Sequence, residues 1–190
     1  MNQIVFRFSQ YHNYSLGAEP CLKNYQAYPN YVICKTQYLP AYEAAATALL
    51  DTVNALKNLG SDAERVRKIN DIVCDKLTYV ETASAMPNKV FTSSGVVDAR
   101  CTGYTHAFAF LCDLVNIPCI TIHGNDHSWN QTYIDGQWLI TDPTFNDFAD
   151  DINERNSVLL EETETNPLHI DEYTSMTLFA KELLIPGSTK

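Results

Sequence analysis

Residues 127–142 read HSWNQTYIDGQWLITD, and how this stretch is read decides the fold. Two runs rich in apolar and aromatic residues, His127–Ile134 and Gln137–Asp142, flank Asp135-Gly136. Asp-Gly between such runs is a strong signal for a two-residue hairpin turn, because both central residues need a positive φ. With that turn Ile134 faces Gln137, and counting outward sets Asp142 opposite Trp129. Strand residues alternate faces, so His127 points to the same side as Trp129 and Asp142. Such diagonal neighbours lie ~7–8 Å apart by Cα, within reach of a His–Asp hydrogen bond. Trp138, opposite Tyr133, shares this face, so Trp129 and Trp138 are expected to shield the pair. A register slip of one residue would turn Asp142 to the other side.

Immediately upstream, Cys119–His123 reads as a further strand, joined to His127 by the short turn Gly124-Asn125-Asp126. Before it a helix is expected to begin at or near Cys101 and run through Ala107, Phe108, Leu111, Leu114 and Val115 to the break at Pro118. A thiol at a helix start sees the positive end of the helix dipole, which favours the thiolate. A neighbouring imidazole lowers its pKa further and can later protonate a leaving group. A carboxylate behind the imidazole fixes its tautomer and stabilises the imidazolium. Cys101, His127 and Asp142 thus form a nucleophile–base–orienter set, and the Cys101 backbone N–H would face a developing oxyanion. A lone cysteine is more often a packed thiol, and Cys74, Cys112 and Cys119 are assigned that role. For Cys101 its two companions reverse the odds.

The rest of the chain gives an α+β order, helices mostly first and antiparallel strands later. Pro40 opens a helix with Leu49, Val53 and Leu56 on one stripe, stopped by Gly60. Ser61-Asp62-Ala63-Glu64 reads as a capping box that starts a second helix, with Val66, Ile69 and Val73 on its apolar face, ending near Leu77. Glu81 to Arg100 lacks a period and carries Pro87 and Gly95, so it reads as a long loop lining one wall of a cleft. The 123–127 turn lines the other wall, giving an open groove suited to an extended peptide. Residues 1–39 are expected to form a β-rich extension of the domain that spans 40–190. A last helix is expected from Asp171 to Leu184.

Of the 190 residues 45% are apolar and 19% charged, which excludes a disordered tail or a coiled coil. A net charge of −10 argues against nucleic acid or an anionic membrane as the main partner. No apolar run reaches the ~20 residues a bilayer span needs, so no membrane insertion is expected. The first ten residues lack the pattern of a signal peptide. Six cysteines with no C-x-x-C pair give neither a disulfide scaffold nor a structural zinc site, and a Cys21–Cys34 bridge stays open. His123 and His127 have H-x-x-x-H spacing, but Gly124 and Asn125 break any helix, so no metal and no cofactor is expected. His106 reads as a core or cleft-edge residue, and His12 and His169 as surface residues. The acidic stretch Asp147 to Glu164 reads as a solvated loop in which calcium binding stays open.

Cys101-Thr102-Gly103-Tyr104, His127-Ser128-Trp129-Asn130, Asp135-Gly136-Gln137-Trp138 and Asp142-Pro143-Thr144-Phe145-Asn146-Asp147 together resemble the core of the transglutaminase-like superfamily. The resemblance is to its bacterial type, spans roughly residues 40–150, and includes Leu77-Thr78-Tyr79. It implies a papain-like cysteine protease fold, with the nucleophile helix packed on an antiparallel sheet. It also implies Cys101 as nucleophile, His127 as general base and acid, and Asp142 as orienting carboxylate. Thr105 stands where the family often has Ala, Asn116 where it often has Gly, and Val80 where an acidic residue commonly follows the Tyr. Relatives of this type often sit outside the membrane, which implies an extracytoplasmic or cell-surface address with any signal peptide removed.

Three function classes follow. A thiol hydrolase would cleave peptide or amide bonds of a peptide or protein substrate through an acyl-enzyme. A transglutaminase would pass the same acyl group to an amine, cross-linking Gln to Lys. A non-catalytic interaction module would keep only the fold, and has no need of all three groups. Hydrolysis is favoured on the analogy of compact bacterial relatives. The second oxyanion donor is expected from Tyr79 or from a polar residue of Asn88–Ser94.

Overall fold

The structure, a computed structural model, describes residues 39–149, 152–161 and 169–172, together with Leu178 and Lys181. The expected β-rich extension over 1–39, the Cys21–Cys34 question and most of the expected tail helix lie outside these residues. Asp171 and Glu172, at the expected start of that helix, are not helical, whereas Leu178 and Lys181 are.

Helices α1 (Leu39–Ala48) and α2 (Leu50–Lys57) replace the single helix expected from Pro40 to Gly60. Leu49 sits between them with φ −98° and ψ 5°, yet Leu49, Val53 and Leu56 all remain buried as one stripe. Helix α3 (Asp62–Lys76) starts as expected: Ser61 accepts from the Glu64 N–H, and Glu64 reaches back to the Ser61 N–H. Val66, Ile69 and Val73 on its inner face are fully buried, each contributing about 1.5–3 kcal/mol.

The helix does not run out into a loop. Strand β1 (Leu77–Tyr79) follows, then α4 (Pro87–Thr92) and β2 (Val97–Ala99), which pairs with β1 in parallel. The long loop expected over 81–100 is therefore a short β–α–β crossover. Pro87 starts a helix rather than breaking one, and Val90 and Phe91 anchor it in the core. Both strands are three residues long, too short for alternation to show in sequence.

Strand β2 delivers the chain to Arg100, the N-cap of α5 (Cys101–Leu114). This is the central helix, and its residues Gly103 to Cys112 are all buried. It ends where Asn116 adopts a left-handed φ of 62°, a conformation Asn tolerates in place of Gly. Then come β3 (Cys119–Gly124), β4 (His127–Ile134), β5 (Gln137–Thr141), α6 (Pro143–Asp147), a single 3₁₀ turn (Ile152–Glu154) and β6 (Val158–Leu160). The second sheet is antiparallel in the order β3-β4-β5-β6. The expected hairpin register holds, with Ile134 opposite Gln137, Tyr133 opposite Trp138 and Asn130 opposite Thr141. Asp135 and Gly136 have φ of 50° and 91°, as the turn requires.

In the described part of the acidic stretch, 147–149 and 152–161, the chain is not a solvated loop throughout. Asp147 accepts from the Tyr104 hydroxyl, Arg155 bridges Asp71 and Asp75 at 3.2 and 3.0 Å, and Val158 is buried in β6. Its apolar run, Val158-Leu159-Leu160, is too short to reveal a strand.

Candidate active site

Three elements converge on one point. Helix α5 presents Cys101 from its first turn, β4 presents His127 from its first residue, and Asp142 follows the last residue of β5. The motif glycine Gly103 lets the first turn of α5 pack against the end of β2, because a Cβ there would lie 2.7 Å from the Ala99 Cβ. Asn130 ties the sheet to the helix, donating from Nδ2 to the carbonyls of Thr105 (3.1 Å) and Ile120 (3.3 Å). Asn146 does the same on the far side, donating to Asn70 Oδ1 at 2.8 Å and accepting from the Ser157 N–H at 2.9 Å.

Asp142 is wholly buried and surrounded by donors. Its Oδ1 caps α6, accepting from the Thr144 and Phe145 N–H groups at 3.1 Å each. Its Oδ2 accepts from His127 Nε2 at 2.6 Å and from His169 Nε2 at 2.8 Å. Burial alone would raise the carboxyl pKa, but the hydrogen bonds from His127 and His169 and the His127 charge hold it below its ordinary range. An ionised carboxylate only accepts, so the hydrogen on each imidazole is assigned to Nε2. His127 Nδ1 is then the ring nitrogen left for sulfur.

Cys101 lies close enough to His127 for each to shift the other's ionisation. Burial opposes its ionisation, but hydrogen bonds from His127 and Ser128, the His127 charge and the Thr102 backbone N–H bring the thiol below its usual range. The complementary effect appears on His127. Burial opposes its charge, while the hydrogen bonds and charges of Asp142 and Cys101 push the imidazole up to about 9. Thiol and imidazole thus shift in opposite directions, and the Asp142 carboxylate at 2.6 Å favours the charged imidazole. Cys74 is its opposite: burial pushes that thiol up to about 12, and Sγ lies 3.5 Å from the Pro143 carbonyl.

The surroundings revise two expectations. Trp129 does lie against the pair, its ring 6.1 Å from that of His127. Trp138 does not: it packs on Tyr133 (5.4 Å) near the hairpin turn, with the Lys181 ammonium 5.7 Å away. Register put Trp138 on the correct face, but it sits four residues along the strand from Asp142, roughly 13 Å. Phe145, at 4.7 Å from His127, covers the ring instead. His169, expected on the surface, has a side chain only 1% exposed and lies 4.9 Å from Trp129 and 6.0 Å from His127. No periodic pattern surrounds it, so nothing in the sequence pointed to its burial.

Tyr79, from the end of β1, stands beside Cys101. Burial and then the charge of Cys101 raise its phenol pKa, and its ring packs 5.2 Å from the exposed Phe148. On the opposite side Ser128 Oγ lies 2.6 Å from His123 Nδ1, in a directly cross-strand pair. Burial brings the His123 imidazole down to about 3, so it stays neutral. One ligand atom from each of His127, Asp142 and His169 lies within 4.8 Å of the others. Their N···O separations of 2.6 and 2.8 Å are hydrogen-bond lengths, shorter than the ~3.3 Å edges of a tetrahedral zinc site.

Fold and motifs define a class: residues 50–143 match the family model of the Transglutaminase-like superfamily, and this part of the chain is a transglutaminase-like domain. Among curated proteins the chain is similar to mouse (Mus musculus) kyphoscoliosis peptidase, 28% identical over 110 residues, covering 47% of this chain and 17% of that protein. The human (Homo sapiens) kyphoscoliosis peptidase is 26% identical over 127 residues, covering 55% of this chain and 19% of its own length. The chain thus spans less than a fifth of either relative. Among solved structures, a candidate cysteine protease from Cytophaga hutchinsonii has a TM-score of 0.43 at 17% identity, covering 58% of this chain and 43% of that one. A TGase structure has a TM-score of 0.44 at 17% identity, covering 86% and 44%.

Proposed function

We propose that this protein is a cysteine-nucleophile acyl-transfer enzyme, acting as a thiol hydrolase on amide bonds of a peptide or protein. What supports the reading is the buried Asp142 carboxylate held 2.6 Å from His127 Nε2, together with the mutual effect of His127 and Cys101 on each other's ionisation. In this reading the Cys101 thiolate attacks the amide carbonyl, and the oxyanion forms near the helix N-terminus. His127, protonated at Nδ1 and Nε2, gives its Nδ1 proton to the departing amine as the C–N bond breaks. A water then loses a proton to His127 as it attacks the thioester, and sulfur leaves as thiolate. Asp142 keeps the imidazole in the Nε2–H orientation throughout.

Incubation with a labelled amine and a Gln-containing peptide, followed by mass spectrometry, tests the assignment. Release of free acid without amine incorporation is the expected result. Incorporation of the amine would make the protein a transglutaminase. Neither product, with Cys101 also unreactive to iodoacetamide, would leave an interaction module.

A further inference from the structure

We propose that His169 is a positioning residue of this site: its Nε2–H shares Asp142 Oδ2 with His127 and so sets how strongly the carboxylate holds the His127 ring. The inference rests on the Cys101–His127–Asp142 reading above. Four donors fill the four lone-pair positions of Asp142, two backbone N–H groups on Oδ1 and two imidazoles on Oδ2. The Asp142 side chain has no solvent exposure, so no water competes for Oδ2. The His169 ring stacks on Phe145 at 5.7 Å and packs at a tilt on Trp129 at 4.9 Å. Its Nδ1 is buried with no hydrogen-bond partner among the described residues, so the ring is bound through Nε2 alone.

The backbone around His169 is built to hold it there. Glu172 N–H donates to the His123 carbonyl at 3.3 Å, and the Asn125 N–H donates to Glu172 Oε1 at 3.1 Å. The Ile170 carbonyl oxygen lies 1.7 Å from where a Cβ on Gly124 would stand, so segment 169–172 fits only because that residue is glycine. Segment 169–172 thereby clasps the β3–β4 turn and inserts one ring beneath the catalytic pair.

The charge of Asp142 is divided between two N–H donors. Removing one leaves the carboxylate a stronger acceptor for the other, which stabilises the His127 imidazolium. The titratable groups facing this network are Cys101 from α5, with Tyr79 beside it, and His123 from β3, which burial and the neighbouring His106 and His127 charges keep neutral. None of them changes identity in the variants below.

The test is the His127 titration followed by NMR of its ring carbon in the full chain. His169→Met removes the donor, His169→Gln is of similar size and keeps an N–H, and His169→Phe keeps the ring but not the donor. The expected result is an upward shift of about 0.5–1 unit for Met and Phe, with Gln titrating as wild type. Wild-type titration in Met and Phe would overturn the proposal, as would Phe behaving as wild type while Gln shifts, because the role would then be ring packing. Should Met not fold, Phe against Gln makes the same comparison. Iodoacetamide labelling of Cys101 in the wild type reports separately on the parent reading, because the NMR shift does not require acyl transfer.

Discussion

Asp142→Asn separates the two oxygens of the buried carboxylate. Oδ1 faces two backbone N–H groups, so the amide oxygen must occupy that side and keep the α6 cap. The amide nitrogen then faces His127 Nε2 and His169 Nε2, donor against donor, and His127 must move its hydrogen to Nδ1. Nδ1–H can donate to sulfur but cannot take a proton from it. The Cys101 thiol then returns toward the ordinary cysteine value of about 8.5, leaving about one molecule in several hundred as thiolate near pH 6. Alkylation by iodoacetamide near that pH should slow, and acyl transfer should fall by about 1,000- to 10,000-fold, or roughly 4–5.5 kcal/mol on the barrier. Melting should change far less than in Asp142→Ala, which loses the cap (about 1 kcal/mol) and also leaves two N–H donors buried without acceptors. The assay is alkylation rate against pH in wild type and Asn variant, with melting curves as control. A folded Asn variant alkylated near pH 6 at the wild-type rate would refute the tautomer argument.

Brief iodoacetamide treatment near pH 6, read by mass spectrometry, should label Cys101 ahead of Cys74, whose thiol stands at about 12; the reverse order would sink the assignment of the nucleophile. Acyl transfer should trace a bell against pH, rising on the acid side as the lowered Cys101 thiol ionises and falling through about 9 as His127 loses the proton it must donate; a basic limb near the ordinary histidine value of about 6.5 would contradict the raised imidazole. His123 is held neutral in the folded state down to about 3, whereas the unfolded chain takes up that proton below about 6.5, so stability should fall as pH drops through this window. His123→Asn should flatten that part of the stability curve, and an unchanged slope would exclude His123 as its source. Gly124→Ala should drive segment 169–172 off β3, costing at most about 2–5 kcal/mol for three hydrogen bonds, with faster hydrogen exchange at Glu172; a melting point and exchange rate equal to wild type would show that the segment is not held there.

What was legible in the sequence depended on local pattern. The hairpin from His127 to Asp142 could be read to the residue because Asp135-Gly136 leaves one register and the pleat then assigns every face. The Ser61 capping box and the start of α5 were equally local. Short elements with no period were not legible: β1, β2 and β6 each have three residues and gain their identity only by pairing. Trp138 shows the limit of a face argument, since alternation gives the side of a sheet but not the distance along it. His169 lies 27 residues beyond Asp142, and only tertiary docking brings them together.

The matched family segment ends at residue 143, one residue past Asp142. A minimal domain cut there, or anywhere before His169, would leave Trp129 without the ring that packs on it and open the Oδ2 side of the carboxylate to water. Water can supply a hydrogen bond in place of His169, but it also raises the local dielectric and would weaken the proposed charge pairing of Cys101 with His127. An excised core of this kind should keep its hairpin and its helices, yet have a weaker nucleophile than the longer chain. If Cys101 is the nucleophile proposed above, a fully active domain is expected to need the chain at least through residue 172.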